Sequence, residues 1–336
     1  MMQTPGQVVE EERSAGSQYS PANALEANHA SSGMWLVLGA GMIATLLSSP
    51  TDAVLLPLRL GDPRSPFSWF PEVLRALVWR QAGSVGLALL DAGLMGASLL
   101  AVWDLARRDR WTLWGTRLVL GLHVLLWRVV QPVTSPLLVL AIALPLAWSA
   151  ALRLRDGTWG AGTLMAAVAA TLAVNSHVLF PLGMLPVALL LADRRQAFPN
   201  AIWRFAAFTL LGWCATPYLF DLPGTFARFV ARGTLVGGGA AMQELAPGFA
   251  GLAHAPPDLL LATLFLLVLP LLPASMGQHV GRLRWLAVPW LTGLLLFALT
   301  VRGLWLWWLL ALPLVAATMG AIPLPPPLVQ PEPTGE

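Results

Sequence analysis

The side chains best suited to chemistry lie in polar stretches between long apolar runs. Asp52 and Asp62 follow the first apolar run. A carboxylate such as Asp52 can take the proton of an attacking hydroxyl group, and guanidinium groups bind phosphate oxygens in a bidentate manner. The guanidinium groups available for this role belong to Arg128, Arg228, Arg232 and Arg302. The remaining candidate substrate ligands are Asp62, Gln131, Asn175 and His177.

Each of these candidates also has a purely structural interpretation. Asp52 could be a loop carboxylate that pairs with Arg59, and His177 could be a hydrogen-bonded packing residue near a helix end. Asp91 and His123 fall inside apolar runs, where an ionisable group costs at least ~2.5 kcal/mol unless it faces protein or water. They could line a proton or substrate pathway, or Asp91 could pin two helices together.

Metal-binding patterns are missing from the sequence. No His, Cys and carboxylate residues occur at the spacing of a zinc site, and Gly237-Gly238-Gly239 lacks the strand and Lys of a phosphate-binding loop. We therefore expect no resident cofactor, while a divalent cation remains an open question.

The composition places these residues in a membrane protein. Of 336 residues, 57% are hydrophobic and only 11% are charged, where soluble domains average about 25% charged residues. Mean hydropathy is +0.68, and a single cysteine excludes an intramolecular disulfide. The net charge of +3 comes from arginines scattered along the chain, so no nucleic-acid surface is indicated. The composition excludes a disordered chain and an ordinary soluble enzyme.

Apolar windows of about 20 residues recur along the chain and predict an all-α, polytopic transmembrane bundle. Residues 1–30 form an acidic, disordered tail, residues 31–322 the multi-span domain, and residues 323–336 a Pro-rich tail. We predict about ten spans, at 34–50, 84–106, 112–130, 136–153, 160–177, 180–193, 202–220, 257–275, 284–301 and 303–322.

Arginine clusters orient these spans. Under this topology, the four clusters that follow spans two, four, six and eight all fall on one side of the membrane. The positive-inside rule places that side of the membrane, together with both termini, in the cytoplasm. We therefore predict an integral, multi-pass protein of the inner cell membrane. The clusters are Arg107, Arg108 and Arg110; Arg153 and Arg155; Arg194 and Arg195; and Arg282 and Arg284.

Two further features concern the membrane surface. Residues 71–80 have apolar positions at helical spacing, which predicts an amphipathic helix in the headgroup plane with Arg75 and Arg80 on its polar side. Such a helix suits a substrate with an anionic head and a lipid tail, or it simply anchors the chain to anionic lipid. Trp305, Trp307 and Trp308 are expected to form an interfacial belt.

The order of these features resembles the GT-C-fold integral membrane glycosyltransferases, in particular the polyprenol-phosphate-sugar-dependent, mannosyltransferase-like branch. The resemblance covers residues 34–230. It rests on Thr51-Asp52 after the first span, on Phe70-Pro71 before the interfacial helix, on Gln131, and on the polar triplet at 175–177.

The resemblance implies roles for particular residues. Asp52 matches the catalytic carboxylate, Phe70-Pro71 the aromatic–Pro turn, and Gln131 the amide before the fourth span. His177 or Asn175 stands where the family often has Lys. The missing Lys, the short first outer loop and the Phe in place of Tyr are departures that suit a different acceptor or an inactive relative.

The leading hypothesis is therefore an outer-face glycosyltransferase that takes a sugar from a polyprenyl phosphate by a single-base, inverting mechanism. Membrane lipids and the lipid-linked sugar are its expected partners. The alternatives are a non-catalytic membrane subunit that scaffolds a larger complex, and, third, a transporter.

Overall fold

The computed structural model describes residues 69–109, 111–130, 135–177, 179–192, 199–217, 219–221, 224, 257–268, 280–299 and 303–319. These residues form α-helices joined by turns and two short 3₁₀ segments, and no strand occurs among them. The helices are α1 (Trp69–Arg108), α2 (Leu113–Val130), α3 (Ser135–Arg155), α4 (Trp159–Val174), α5 (Val187–Ala192), α6 (Pro199–Trp213), α7 (Pro257–Val268), α8 (Val280–Leu299) and α9 (Gly303–Met319). The all-α prediction is confirmed for this part of the chain.

Two of the described helices are long and apolar enough to cross a membrane. They are α1, and α3 over Leu138–Arg155. Several shorter helices are also apolar, among them α2, α4, α8 and α9. The first predicted span lies outside the described residues. The sixth, at 180–193, is not one continuous helix, because prolines without an N–H group split it into a 3₁₀ segment (Phe180–Met184) and the six-residue α5.

Helices α3 and α9 form the centre of the bundle. From Leu304 to Val315 every side chain of α9 is buried, and α3 is buried on almost every side from Leu138 to Leu154. A helix that is apolar all round is expected at such a position. The prediction of an interfacial belt at Trp305, Trp307 and Trp308 is wrong, since all three indoles are fully buried in the core.

Outer helices keep an apolar stripe exposed. On α2 the stripe runs through Trp114, Leu118 and Leu125, and on α4 it includes Leu164 and Val168. On α6 it comprises Trp203, Leu210 and Leu211. Contiguous exposed apolar surface of this kind is rare on soluble monomers and marks contact with a membrane or a partner.

Helix α1 consists of two arms that meet at Gly83. This residue adopts φ 58° and ψ −146°, a backbone conformation that glycine tolerates and that interrupts the helix. Arg75 and Asp91 each lie eight residues from Gly83, about 12 Å along an arm. Their side chains pair at 2.9 Å, so the arms meet at roughly a right angle or less. The separate helix predicted at 71–80 is the first arm, residues 69–82.

Most of the described arginines lie at one end of the bundle, where they form ion pairs and ring contacts. Asp104 of α1 accepts hydrogen bonds from Arg108 at 3.1 Å and from Arg153 of α3 at 3.4 Å. Arg155 lies 3.8 Å from Asp109. We name this region the basic end; its arginines are Arg107, Arg108, Arg117, Arg153, Arg155 and Arg204, and its aspartates are Asp104, Asp109 and Asp156. The described arginines of the clusters after the second and fourth predicted spans therefore lie together.

Candidate functional site

The described part of the chain includes the side chains of two predicted site residues, Asn175 and His177. Arg128 lies on α2, near its C-terminal end. The other predicted site residues lie outside the described residues: Asp52, Asp62, Gln131, Arg228, Arg232 and Arg302. The predicted site residues whose side chains are described therefore lie in the turn that follows α4.

This turn lies at the end of the bundle opposite the basic end. Helix α4 begins at Trp159, beside the basic end, and its sixteen residues rise about 24 Å before it ends at Val174. We name Asn175, Ser176 and His177, which follow directly, the polar turn. Helix α6 runs parallel to α4, because Arg204 lies over the Trp159 ring and Thr171 donates a hydrogen bond to the carbonyl of Gly212.

Asn175 joins three segments of the chain at the polar turn. Its Oδ1 accepts a hydrogen bond from the indole Nε1–H of Trp69 at 2.9 Å. Its Nδ2 donates to the carbonyl of Thr171 at 2.9 Å and to that of Ala215 at 2.7 Å. Its main-chain carbonyl accepts the N–H of Phe70 at 3.3 Å. The side-chain amide thus uses both of its donors and an acceptor inside the protein, which makes Asn175 a positioning residue in this structure.

The hydrogen bonds of Asn175 bring two distant parts of the sequence together. Trp69 and Phe70 begin the first arm of α1 and end the stretch that carries Asp52 and Asp62, and they are tied to a turn 106 residues further on. Sequence reasoning missed Trp69 as a site residue. The only available signal was its position beside Phe70-Pro71, since its partner is distant in sequence.

His177 is a neutral hydrogen-bond donor in this arrangement. The N–H of Leu179 donates to its Nδ1 at 3.1 Å, so the ring proton resides on Nε2. Burial lowers the pKa of His177 from the usual 6.5 to about 4, and the residue lies beyond the end of α4. The ring is uncharged at pH 7, so it can donate to an oxygen atom but cannot supply the positive charge of a Lys.

Ser176 differs from its neighbours because its hydroxyl is unpaired. The residue is fully buried, and its Oγ has no hydrogen-bond partner among the residues that the structure describes. A buried hydroxyl without a partner costs about 1–3 kcal/mol. Phe180, four residues on, packs edge-on against Trp213 of α6 with 5.0 Å between ring centroids, which closes the polar turn on this side.

Asp91 and His123, the two ionisable residues predicted within spans, each have partners. Asp91 accepts two contacts from Nη1 of Arg75, at 2.9 and 3.2 Å, so the pair pins the first arm of α1 to the second. Nδ1 of His123 accepts the Nε1–H of Trp308 at 3.1 Å, and its Nε2 lies 2.9 Å from Oγ of Ser98. Ser98 donates in turn to the carbonyl of Ala141, so His123 must be the donor to Ser98.

These contacts favour the pinning interpretation over a transport pathway. Both ring nitrogens of His123 are used inside the buried core formed by α1, α2, α3 and α9. Among the residues that the structure describes, no three His, Cys, Asp or Glu side chains come together as a metal site.

Asn175→Asp is expected to lower the free energy of unfolding by about 2–4 kcal/mol. The carboxylate still accepts from Trp69, but it faces the carbonyls of Thr171 and Ala215, to which the amide donated. Thermal unfolding of the purified protein in detergent measures this loss. The matched control is Ser176→Ala, which removes a buried hydroxyl that has no partner and should leave the midpoint unchanged or higher. Equal losses in both variants would contradict the role of Asn175.

The chain matches no protein-family model, no curated protein and no solved structure. The case for a function therefore depends on the chain's own residues and their geometry.

Proposed function

We propose that the protein is a multi-pass membrane glycosyltransferase that moves a sugar from a polyprenyl phosphate to an acceptor hydroxyl at the end of the bundle that carries the polar turn. One observation carries the proposal. Trp69 and Phe70, which end the stretch containing Asp52, are hydrogen-bonded to Asn175. The resemblance to GT-C enzymes assigns both segments to one site, although they are far apart in sequence.

The membrane setting is supported by the surface of the bundle. Exposed apolar stripes on α2, α4 and α6 suit contact with lipid, and arginines collect at one end as the positive-inside rule requires. We place the basic end in the cytoplasm and the polar turn on the outer face. A lipid-linked sugar would then meet the site from within the bilayer.

The proposed reaction is a single displacement. Asp52 takes the proton of the acceptor hydroxyl, the hydroxyl oxygen forms a bond to the anomeric carbon, and the bond from that carbon to the phosphate oxygen breaks. The electron pair leaves with the polyprenyl phosphate, whose charge Arg128, Arg228, Arg232 or Arg302 would offset. Neutral His177 suits a sugar hydroxyl better than the phosphate, because its ring carries no charge at pH 7.

The proposal is tested by turnover. The purified protein is incubated with a set of polyprenyl-phosphate hexoses and a mixture of candidate acceptor glycans, and release of free polyprenyl phosphate is followed. We expect release with at least one donor, and none when the acceptor mixture is omitted. The proposal would be contradicted if no donor is consumed by protein that is shown to be folded by its cooperative unfolding.

A second function is favoured by a separate observation. Asn175, Asp91 and His123 are all engaged in contacts within the protein. This is the pattern expected of a non-catalytic subunit whose polar residues hold helices together. That alternative predicts stable co-purification with other membrane proteins and indifference to the loss of Asp52.

A further inference from the structure

The arginines of the basic end make two kinds of contact. Arg108, Arg153 and Arg155 lie within ion-pair distance of aspartates. In the second kind of contact, the guanidinium lies over an indole ring. These pairs are Arg107 over Trp103 at 5.7 Å, Arg117 over Trp114 at 5.7 Å, and Arg204 over Trp159 at 4.7 Å.

Stacking on an indole holds a guanidinium in a way that suits a phosphate ligand. The cation contacts the face of the ring, so the N–H groups at the edge of the guanidinium plane can still donate to oxygen. The basic end also carries a net positive charge, because its six arginines outnumber its three aspartates.

The surroundings identify the partner. Trp114 is 67% exposed and Trp203, adjacent to Arg204, is 73% exposed. Along α2 and α6 these tryptophans begin the apolar stripes that continue through Leu118 and Leu125, and through Leu210 and Leu211. On both helices an arginine and an exposed indole lie together near the basic end and the apolar stripe continues beyond them, which matches the headgroup and acyl chains of a phospholipid.

We propose that the Arg–Trp pairs of the basic end bind the headgroups of anionic phospholipids, with their acyl chains along the exposed stripes of α2 and α6. This inference is independent of the proposed reaction, which concerns the opposite end of the bundle. Of its three arginines, the topology argument uses only Arg107, as a signal of orientation.

The test measures the thermal unfolding midpoint of the full-length protein in a neutral detergent, with phosphatidylglycerol or phosphatidylcholine added. A lipid that binds the folded state raises the midpoint. We expect phosphatidylglycerol to raise it more than phosphatidylcholine, and the difference to shrink at high salt. Equal shifts from the two lipids on the unaltered protein would overturn the proposal without any variant.

Variants then locate the site. Arg204→Gln should weaken phosphatidylglycerol binding about fivefold, and the combined Arg107→Gln, Arg117→Gln and Arg204→Gln variant about a hundredfold, from about 1 kcal/mol per arginine at a membrane surface. The matched control is Arg155→Gln, which removes the same charge from the basic end at an arginine that contacts aspartates. If Arg155→Gln weakens binding as much as Arg204→Gln, the effect is general electrostatics and the proposal is wrong.

Discussion

Asp52→Asn is expected to reduce sugar transfer by about 10²–10⁴-fold while expression, membrane insertion and the unfolding midpoint stay unchanged. The amide has nearly the shape of the carboxylate, but it cannot take the proton of the acceptor hydroxyl, and general base catalysis contributes a factor of this size. Steady-state release of polyprenyl phosphate, measured on the donor that the unaltered protein consumes, checks the prediction. The loss should appear in kcat.

Glu10→Gln is the control for this experiment. It makes the same type of substitution in the predicted N-terminal tail and should leave turnover unchanged. Full activity of Asp52→Asn would remove Asp52 as the base, while the turnover assay would still stand as evidence for transfer. Loss of activity accompanied by a lower unfolding midpoint would instead support the alternative that Asp52 is a structural partner of Arg59.

His123→Ala is expected to lower the free energy of unfolding by about 3–5 kcal/mol, the largest stability effect that we predict. The substitution leaves a cavity where α1, α2, α3 and α9 meet. It also leaves the indole N–H of Trp308 without an acceptor in a region where no side chain of α9 is exposed. Trp305 loses a ring contact as well, since its centroid lies 4.5 Å from that of His123. Thermal or denaturant unfolding in detergent measures the loss.

A double-mutant cycle separates the hydrogen bond from the cavity. His123→Leu fills most of the space but provides no acceptor, and Trp308→Phe removes the donor. If the Trp308–His123 bond stabilises the core, His123→Leu should cost at least ~1 kcal/mol less in the Trp308→Phe background than alone. Additive losses would show that packing, and not this bond, accounts for the effect.

The two ends of the bundle differ in a way that bears on both proposals. At the basic end, charged groups pair with each other or lie on indoles, which suits the boundary between lipid and water. At the polar turn, amide, hydroxyl and imidazole groups are neutral and mostly buried. A neutral, hydrogen-bonding environment suits recognition of a sugar, and the proposal assigns the phosphate to Arg128 and to arginines outside the described residues.

Helix positions could be read from the sequence because apolarity and its interruptions are local properties. The predicted spans at 112–130 and 136–153 correspond to α2 and α3 within two residues at each end. The predicted break between the amphipathic helix and the second span falls at Gly83. The predicted sixth span contains Pro181 and Pro186, and the described backbone there is a 3₁₀ segment and a six-residue helix and not one continuous helix.

Side-chain roles were harder to predict, as Asn175 and the tryptophans of α9 illustrate. The resemblance places Asn175 or His177 where the family often has Lys, yet the three side-chain hydrogen bonds of Asn175 go to residues from three segments of the chain. The sequence predicts Trp305, Trp307 and Trp308 at the membrane surface, where indoles are common. The packing of α2 and α8 around α9 buries them instead.

The sequence by itself therefore determined an all-α chain rich in apolar helices, the positions of most of its described helices, and the clustering of its arginines. Only the tertiary structure decided which polar groups are already satisfied, which aromatic rings are buried, and that Trp69 lies beside Asn175. The physical reason is that helix formation and apolarity depend on neighbours within a few turns, whereas hydrogen-bond saturation depends on groups brought together from distant parts of the chain.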